Sequence, residues 1–204
     1  LNGKGVYIEL GSGAGFAKEI IPSIITSDVD KGEGIDKVFS ATKIPFKNKS
    51  VSAFIMLDVF HHIRNPEKAL QEMSRCLKKD GKIVMLEPNN SLWGRFIYKN
   101  FHHEDFNPNS DWNIKKTGRM TVANGAIPWI VFIRDRKIFN NKFKDLKVIK
   151  IEPHTPFLYL LSGGLSKPQV VPGSFYSFFK FLEKTLSPIN NWIGMFVTIE
   201  VKKL

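Results

Sequence analysis

Three glycines at alternate positions, Gly11, Gly13 and Gly15, follow the apolar run Val6 to Leu10, with the carboxylate of Glu9 just before them. Glycine lets a chain turn sharply and puts no Cβ between backbone and ligand, and a following helix start would aim its free N–H groups at whatever binds there. Asp28 lies about twenty residues on, the separation at which an α/β nucleotide site places a carboxylate on ribose hydroxyls. Elsewhere the residues able to move a proton are two histidine pairs, His61-His62 and His102-His103, the second followed by Glu104, with Glu87 between the pairs.

The glycine spacing is G-x-G-x-G, one residue shorter than the G-x-G-x-x-G turn that receives a pyrophosphate. Glu9 points the same way: a carboxylate at a strand tip repels a diphosphate and attracts a ligand carrying an ammonium and a sulfonium. S-adenosylmethionine is such a ligand. The competing readings are a tight structural turn, and a nicotinamide reductase that the spacing and Glu9 both disfavour.

These groups need a scaffold, and the chain supplies alternating apolar segments. Ile24 to Asp28 reads as a second strand, Val38-Phe39 as a short third, Val51 to Leu57 as a strand buried on both faces, and Lys82 to Glu87 as a fifth. A short helix is expected from Phe16 to Ile21, stopped by Pro22. A longer one starts at Asn65-Pro66-Glu67 with cap, proline and acid in place, and runs to Gly81. The segment Lys31 to Asp36 is too short for a full crossover helix. From residue 91 the regularity breaks into aromatic, cap-like stretches, followed by an expected helix from Pro128 to Phe143 and strands at Leu146 to Ile151 and Met195 to Val201. The reading is one domain over 1–204, with a cofactor-binding half over 1–90 and cap or substrate insertions over 91–125 and 157–192.

At 204 residues the chain can bury a sizeable core. It opens at Leu1 rather than at methionine, a few residues before the first strand, which reads as a piece lacking an N-terminal segment. The single cysteine, Cys76, allows no internal disulfide and suits a reducing compartment; with no membrane span and no signal layout, a cytoplasmic location is expected. Thirty basic against nineteen acidic side chains leave a formal charge of +11, which favours anionic partners without choosing among nucleic acid, phosphorylated intermediates and an acidic membrane surface. The oligomeric state is not encoded in any of this.

With its motifs in this order, the first ninety residues resemble class I S-adenosylmethionine-dependent methyltransferases, in particular the broad family that includes the quinone-biosynthesis methyltransferases. The resemblance rests on Tyr7 to Gly15, Thr26-Ser27-Asp28, Ile44-Pro45-Phe46, Leu57 to His62, Arg75 to Gly81 and Glu87-Pro88. It implies an α/β fold: a Rossmann-like, mostly parallel sheet flanked by helices, its last strand antiparallel. It also implies a cofactor site in which Gly11 and Gly13, with Ser12 and Gly15 completing the turn, meet the methionine end and Glu9 lies near the amino group. Asp28 would take the ribose, Ser40 and Ala41 the adenine, and Leu57 the reacting end. Ser40 stands where the family usually has an acid, so adenine recognition would rest on backbone and packing. More loosely, the second half resembles bacterial methyltransferases of undefined substrate, some beside cell-surface polysaccharide functions, through Phe101 to Glu104, Ala123 to Trp129 and Leu160 to Gly164.

Methyl transfer is an in-line displacement that needs a protein base only when the acceptor must lose a proton. For a hydroxyl acceptor the expected base is His62 or His103, oriented by Glu104 or Glu87. No metal is expected, because adjacent histidines lack the i, i+4 spacing of a helical zinc pair. The aromatics Trp93, Phe96, Trp129, Phe157, Tyr159 and Phe175 to Phe181 would line an acceptor pocket or fill core, and Phe175 to Leu186, with Lys180 and Lys184, could lie on a membrane surface. The function expected is therefore methyl transfer to a small molecule, at oxygen, with a saccharide or lipid-linked intermediate as acceptor. A degenerate binding module and a nucleic-acid methyltransferase are the alternatives; the latter is disfavoured by Leu57-Asp58-Val59-Phe60 where a (D/N)-P-P-(F/Y) turn is usual.

Overall fold

A computed structural model describes residues 5–13, 15, 17–114, 123–163 and 168–204. Phe16, with which the first helix was expected to begin, and parts of both expected insertions lie outside these residues. The strands are β1 (Tyr7–Leu10), β2 (Ile25–Asp28), β3 (Lys37–Val38), β4 (Val51–Leu57), β5 (Leu77–Pro88), β6 (Leu146–His154) and β7 (Phe196–Lys203). They form one seven-stranded sheet in the order β3-β2-β1-β4-β5-β7-β6. β1 to β5 run parallel, and β7 is antiparallel to both its neighbours, as expected for the last strand.

The register explains where chemistry collects. Leu57 pairs with Leu86, and Pro88 and His154 both stand opposite Phe196, so β4, β5 and β6 leave the sheet at the edge where β7 enters it. The glycine turn after Leu10 opens at this same carboxyl edge, because β1 is parallel to β4. On one face alternate residues Ile8, Leu10, Phe54, Met56, Ile83, Met85, Val197 and Ile199 are fully or almost fully buried in one large core.

The helices follow local rules. α1 (Ala17–Ile20) is a single turn ahead of Pro22, and α2 (Pro66–Cys76) is capped by Asn65, whose side chain accepts from the Lys68 N–H at 2.9 Å. α2 ends at Cys76, five residues before the expected stop at Gly81: Leu77 already pairs with Val51, and a turn through Asp80, in a left-handed conformation, and Gly81 carries the register shift that returns Lys82 opposite Ala53. α3 (Leu92–Phe101) is capped by Ser91. The expected helix over 128–143 is three pieces, α4 (Ile127–Trp129), a π turn (Ile130–Arg134) closed by the Asp135 N–H on the Ile130 carbonyl, and α5 (Arg136–Lys142). The wide turn brings Arg134 against the carbonyls of Pro108 and Ser110, and Asp135 against the Trp112 indole N–H, and so anchors the loop after α3. α6 (Leu158–Leu161), α7 (Tyr176–Thr185) and α8 (Asn190–Ile193) occupy the connection from β6 to β7. Among the described residues no helix is long and apolar enough to cross a membrane.

Candidate active site

The glycine turn is built as its sequence implies. Gly11, Gly13 and Gly15 have φ of +67°, +52° and +75°, backbone that side chains with a Cβ rarely adopt. They serve different needs. A Cβ on Gly11 would lie 2.6 Å from the Val59 side chain, whereas one on Gly13 would meet nothing within 4 Å, so Gly13 faces open space. Ser12 is buried and holds the turn to β2: its N–H donates to the Ser27 carbonyl and its Oγ accepts from the Ser27 N–H, both at 3.0 Å.

Two carboxylates flank this turn. Glu9 is buried and its Oε2 has no hydrogen-bond partner among the described residues. Burial raises its pKa, the Ser12 hydroxyl works against that, and the charge of Asp28 adds to the rise. Asp28, at the end of β2, accepts from the Gly13 N–H at 3.0 Å through Oδ2 and from the Val29 N–H at 2.7 Å through Oδ1. An ionised carboxylate oxygen has two lone pairs, so Asp28 can still accept from hydroxyls. An unpartnered buried carboxylate, an open glycine cradle and a second carboxylate with spare acceptors together fit an ammonium, a methionine chain and a ribose.

Around the turn, Ser40 is exposed and its hydroxyl is engaged locally with Thr42, while Ala41 is half-buried. The following loop is held by Arg75, which donates to the carbonyls of Ile44 and Phe46 and pairs with Glu72; Glu72 in turn accepts from the Ile44 N–H. Leu57 ends β4 at 48% exposure, directly after the fully buried Met56, and so offers its side chain to the carboxyl edge.

The second constellation is assembled from distant parts of the chain. His61 is fully buried in the 3₁₀ turn Phe60–His62; its Nδ1 lies 2.7 Å from Glu87 Oε2 and its Nε2 3.3 Å from Glu104 Oε2. Glu87 is itself fixed by the N–H groups of Val59 and Phe60, which donate to Oε1. Burial alone would lower the His61 pKa, but hydrogen bonds to Glu104 and Glu87 outweigh it and hold the pKa up at about 10. Glu104 is the reciprocal case: burial opposes its ionisation, yet His61 and the neighbouring histidines pull it down to about 2.

Glu104 is the hub. His62 Nε2 lies 3.5 Å from its Oε1, His103 Nε2 3.7 Å, and His102 Nδ1 3.9 Å from its Oε2. His62 is half-buried, and burial first, then the charge of His61, lowers its pKa, while its Nδ1 has no hydrogen-bond partner among the described residues. His103 is 74% exposed at the side chain. Asp58, in a left-handed conformation, has an Oδ1 that makes no hydrogen bond among the described residues but lies 3.9 Å from His61 Nδ1; burial chiefly raises its pKa, to about 6, against the pull of His61. The ring nitrogens of His61 and His62 and the Glu104 carboxylate lie within 4.8 Å of one another, a spacing that metal sites also use. Here both His61 nitrogens are already committed to carboxylates, which is the chemistry of an ion-pair network.

Sequence reasoning brought His62, His103 and Glu104 to one place but gave no structural role to His61, which forms the link to Glu87. It also passed over Asn124. The Asn124 N–H donates to the His61 carbonyl, while its side chain accepts from the Asn107 N–H and donates to the Asn107 carbonyl and Ser110 Oγ, stapling the cap loop to the histidine turn. The Asn-Gly pair at 124–125 was the available signal.

With this geometry in hand, the relationships are plain. The strand order and the open carboxyl edge are those of the class I S-adenosylmethionine-dependent methyltransferase fold. An S-adenosylmethionine-dependent methyltransferase from Thermotoga maritima superposes with a TM-score of 0.58 at 20% identity, over 100% of this chain and 84% of that one. A second, from Archaeoglobus fulgidus, does so with a TM-score of 0.58 at 14% identity, over 98% and 87%. Residues 8–85 match the family model described as a methyltransferase domain. A search of curated protein sequences gives no match.

Proposed function

We propose that the protein methylates a hydroxyl oxygen of a small molecule, a saccharide or a lipid-linked intermediate, with the proton leaving through His62. The observation that carries this reading is the array Glu87–His61–Glu104–His62 beside the exposed end of β4. Bound S-adenosylmethionine supplies a methyl group on a sulfonium, which passes in line to oxygen while the sulfur leaves as a neutral thioether.

The residues divide the work. Glu9 receives the cofactor's ammonium, Gly11, Ser12, Gly13 and Gly15 cradle its methionine chain, Asp28 takes the ribose, Ser40 and Ala41 border the adenine, and Leu57 borders the reacting end. His62, kept neutral at pH 7 by burial, is free to accept the hydroxyl proton. Glu104, held ionised by His61, then offsets the positive charge formed on His62. His103 is the secondary candidate, since it reaches Glu104 from a solvent-exposed position. In this reading the segments 91–125 and 157–192 form the acceptor's cap.

Isothermal calorimetry with S-adenosylmethionine, followed by incubation of labelled cofactor with a panel of hydroxylated saccharides and lipid-linked sugars, tests the proposal. Label recovered as a methyl ether supports it. Cofactor binding with label found on nitrogen or carbon would overturn the oxygen assignment, and no heat at millimolar cofactor would overturn the site.

A further inference from the structure

We infer that the aromatic surface formed by α3, α7 and α8 is a docking face for an anionic lipid bilayer. Six large side chains, Phe96, Phe101, Phe175, Phe178, Phe181 and Trp192, are each between 51% and 68% exposed. The sequence admits Phe96 and Phe175 to Phe181 as pocket lining or core, and Phe175 to Leu186 as a membrane-surface segment; the structure leaves Phe96, Phe175, Phe178 and Phe181 more than half exposed. A soluble surface tolerates single exposed aromatics, but not readily a concentration of them on adjoining helices.

The helices adjoin through specific contacts. Phe96 stacks on Trp93 with ring centres 5.8 Å apart and meets Phe101 edge-on at the same distance. The Trp93 indole N–H donates to the Pro156 carbonyl, and Trp93 lies 6.3 Å from Phe157. Glu183 of α7 accepts from the N–H groups of Phe157 and Leu158, at 2.8 and 2.7 Å, and so pins α7 to the start of α6. α8 packs on α3.

The periodicity of α7 carries the point further. Phe179 and Leu182 are partly covered, while Phe178 and Phe181, on the adjoining strip of the same helix, and Phe175 just ahead of it are left exposed. An apolar stripe wider than its covered part leaves large side chains that a further surface can cover.

Charge selects the occupant. Arg95 and Lys99 on α3 and Lys180 and Lys184 on α7 stand among the aromatics, and among the described residues none has an ion-pair partner. The one acid of α7, Glu183, is spent on backbone N–H groups. A second copy of this chain, at +11, would bring like charges together across a two-fold contact, whereas an anionic headgroup layer neutralises them. Aromatics with interspersed lysine and arginine are the composition of helices that lie in a membrane interface.

The face borders the carboxyl edge of the sheet, because α3 follows Pro88 and the 155–195 connection joins His154 to Phe196. Docking would therefore bring the candidate site next to the lipid surface. This inference stands independently of the acceptor proposed above.

The test is flotation of the full chain with vesicles of phosphatidylcholine alone or with about 30% phosphatidylglycerol, each at low and high salt. The expected result is preferential recovery with the anionic vesicles, reduced by salt. The double variant Phe178→Ser/Phe181→Ser should partition about tenfold or more weakly, and Lys180→Gln/Lys184→Gln should lose the preference for anionic lipid while keeping its melting curve. Light scattering on the same samples reports self-association. Absence of vesicle binding, equal binding by the wild type and the phenylalanine variant, or a dimer abolished by that variant would each overturn the inference, the last by assigning the face to a second copy.

Discussion

The two ends of the carboxyl edge solve the problem of placing charge by opposite means. At the glycine turn, the groups are close in sequence and the work is done by backbone: three left-handed glycines, a serine tied to β2, and a carboxylate left without a partner in a buried position. At the histidine turn, no backbone strain is needed in His61 itself, and the two acids that hydrogen-bond it have been brought in from elsewhere, Glu87 from β5 and Glu104 from the loop after α3. One end is poised to receive a cation from outside. The other has already built its own, in His61. In the proposed reading, Glu9, without a hydrogen bond on Oε2, is kept for the ligand, while Glu87 and Glu104, paired with His61, hold a side chain in place.

Breaking the satisfied end should have the largest effect. His61→Ala leaves Glu104 and one oxygen of Glu87 without their cation, and loss of one member of a buried ion pair costs about 3–5 kcal/mol. Thermal unfolding should show this as a fall in Tm well beyond that of any surface variant. The same network sets a pH window. The His61 pKa is raised from 6.5 to about 10, so its contribution is whole below pH 6.5 and is lost as pH rises through about 10. The Glu104 pKa is lowered from 4.5 to about 2, so its contribution is whole above pH 4.5 and is lost as pH falls through about 2. Denaturation midpoints across pH should decline on both sides of that plateau, and His61→Ala should remove the alkaline decline.

Next in size is the receiving end. Gly13→Val fills the cradle without striking the protein, so the fold should survive at a strain cost of about 1–2 kcal/mol while cofactor affinity falls by about 100-fold. Calorimetry together with a melting curve separates the two effects. Retained affinity would contradict the assignment of this turn to the methionine chain.

The two histidine candidates sharpen the comparison. His62→Ala should lower kcat by about 100-fold with cofactor affinity unchanged, as removal of a general base does. His103→Ala, at a position open to water, should cost less than about threefold. A reversed ranking would move the base into the cap.

A milder effect, on binding alone, concerns Glu9. Its raised pKa means that it takes up a proton at higher pH than an ordinary carboxyl, and the protonated form cannot pair with an ammonium. Affinity for S-adenosylmethionine should therefore weaken severalfold as pH falls from about 8 to about 5, and Glu9→Gln should flatten that dependence.

The same contrast decides what could be read from the sequence. Glu9, the three glycines and Asp28 are legible because strand, turn and next strand form one local unit whose spacing fixes the geometry. The start of α2 at Asn65-Pro66 is legible for similar reasons; the antiparallel last strand follows only from the family resemblance, and the placing of β7 between β5 and β6, which pairs Lys82 with Lys202, has no local signal. His61 is not: nothing local distinguishes it from His62, and its role depends on Glu87 and Glu104, which lie 26 and 43 residues away. The end of α2 was misread because Gly81, an ordinary helix stop, serves here as the corner of a register shift inside β5. The π turn at Ile130–Arg134 was invisible because an apolar helix period does not report one extra residue in a turn.

The outer margins of the sheet have a consequence for handling the protein. β3 offers only two residues at one margin, too little to template an added strand, whereas β6 presents nine at the other. Along that longer margin Lys147 and Lys150 stand in water and Pro153 removes one N–H donor, features that discourage intermolecular pairing. Neutralising those two lysines would convert a guarded border into an adhesive one, and concentrated samples of such a variant should precipitate in β-rich form long before the parent chain does.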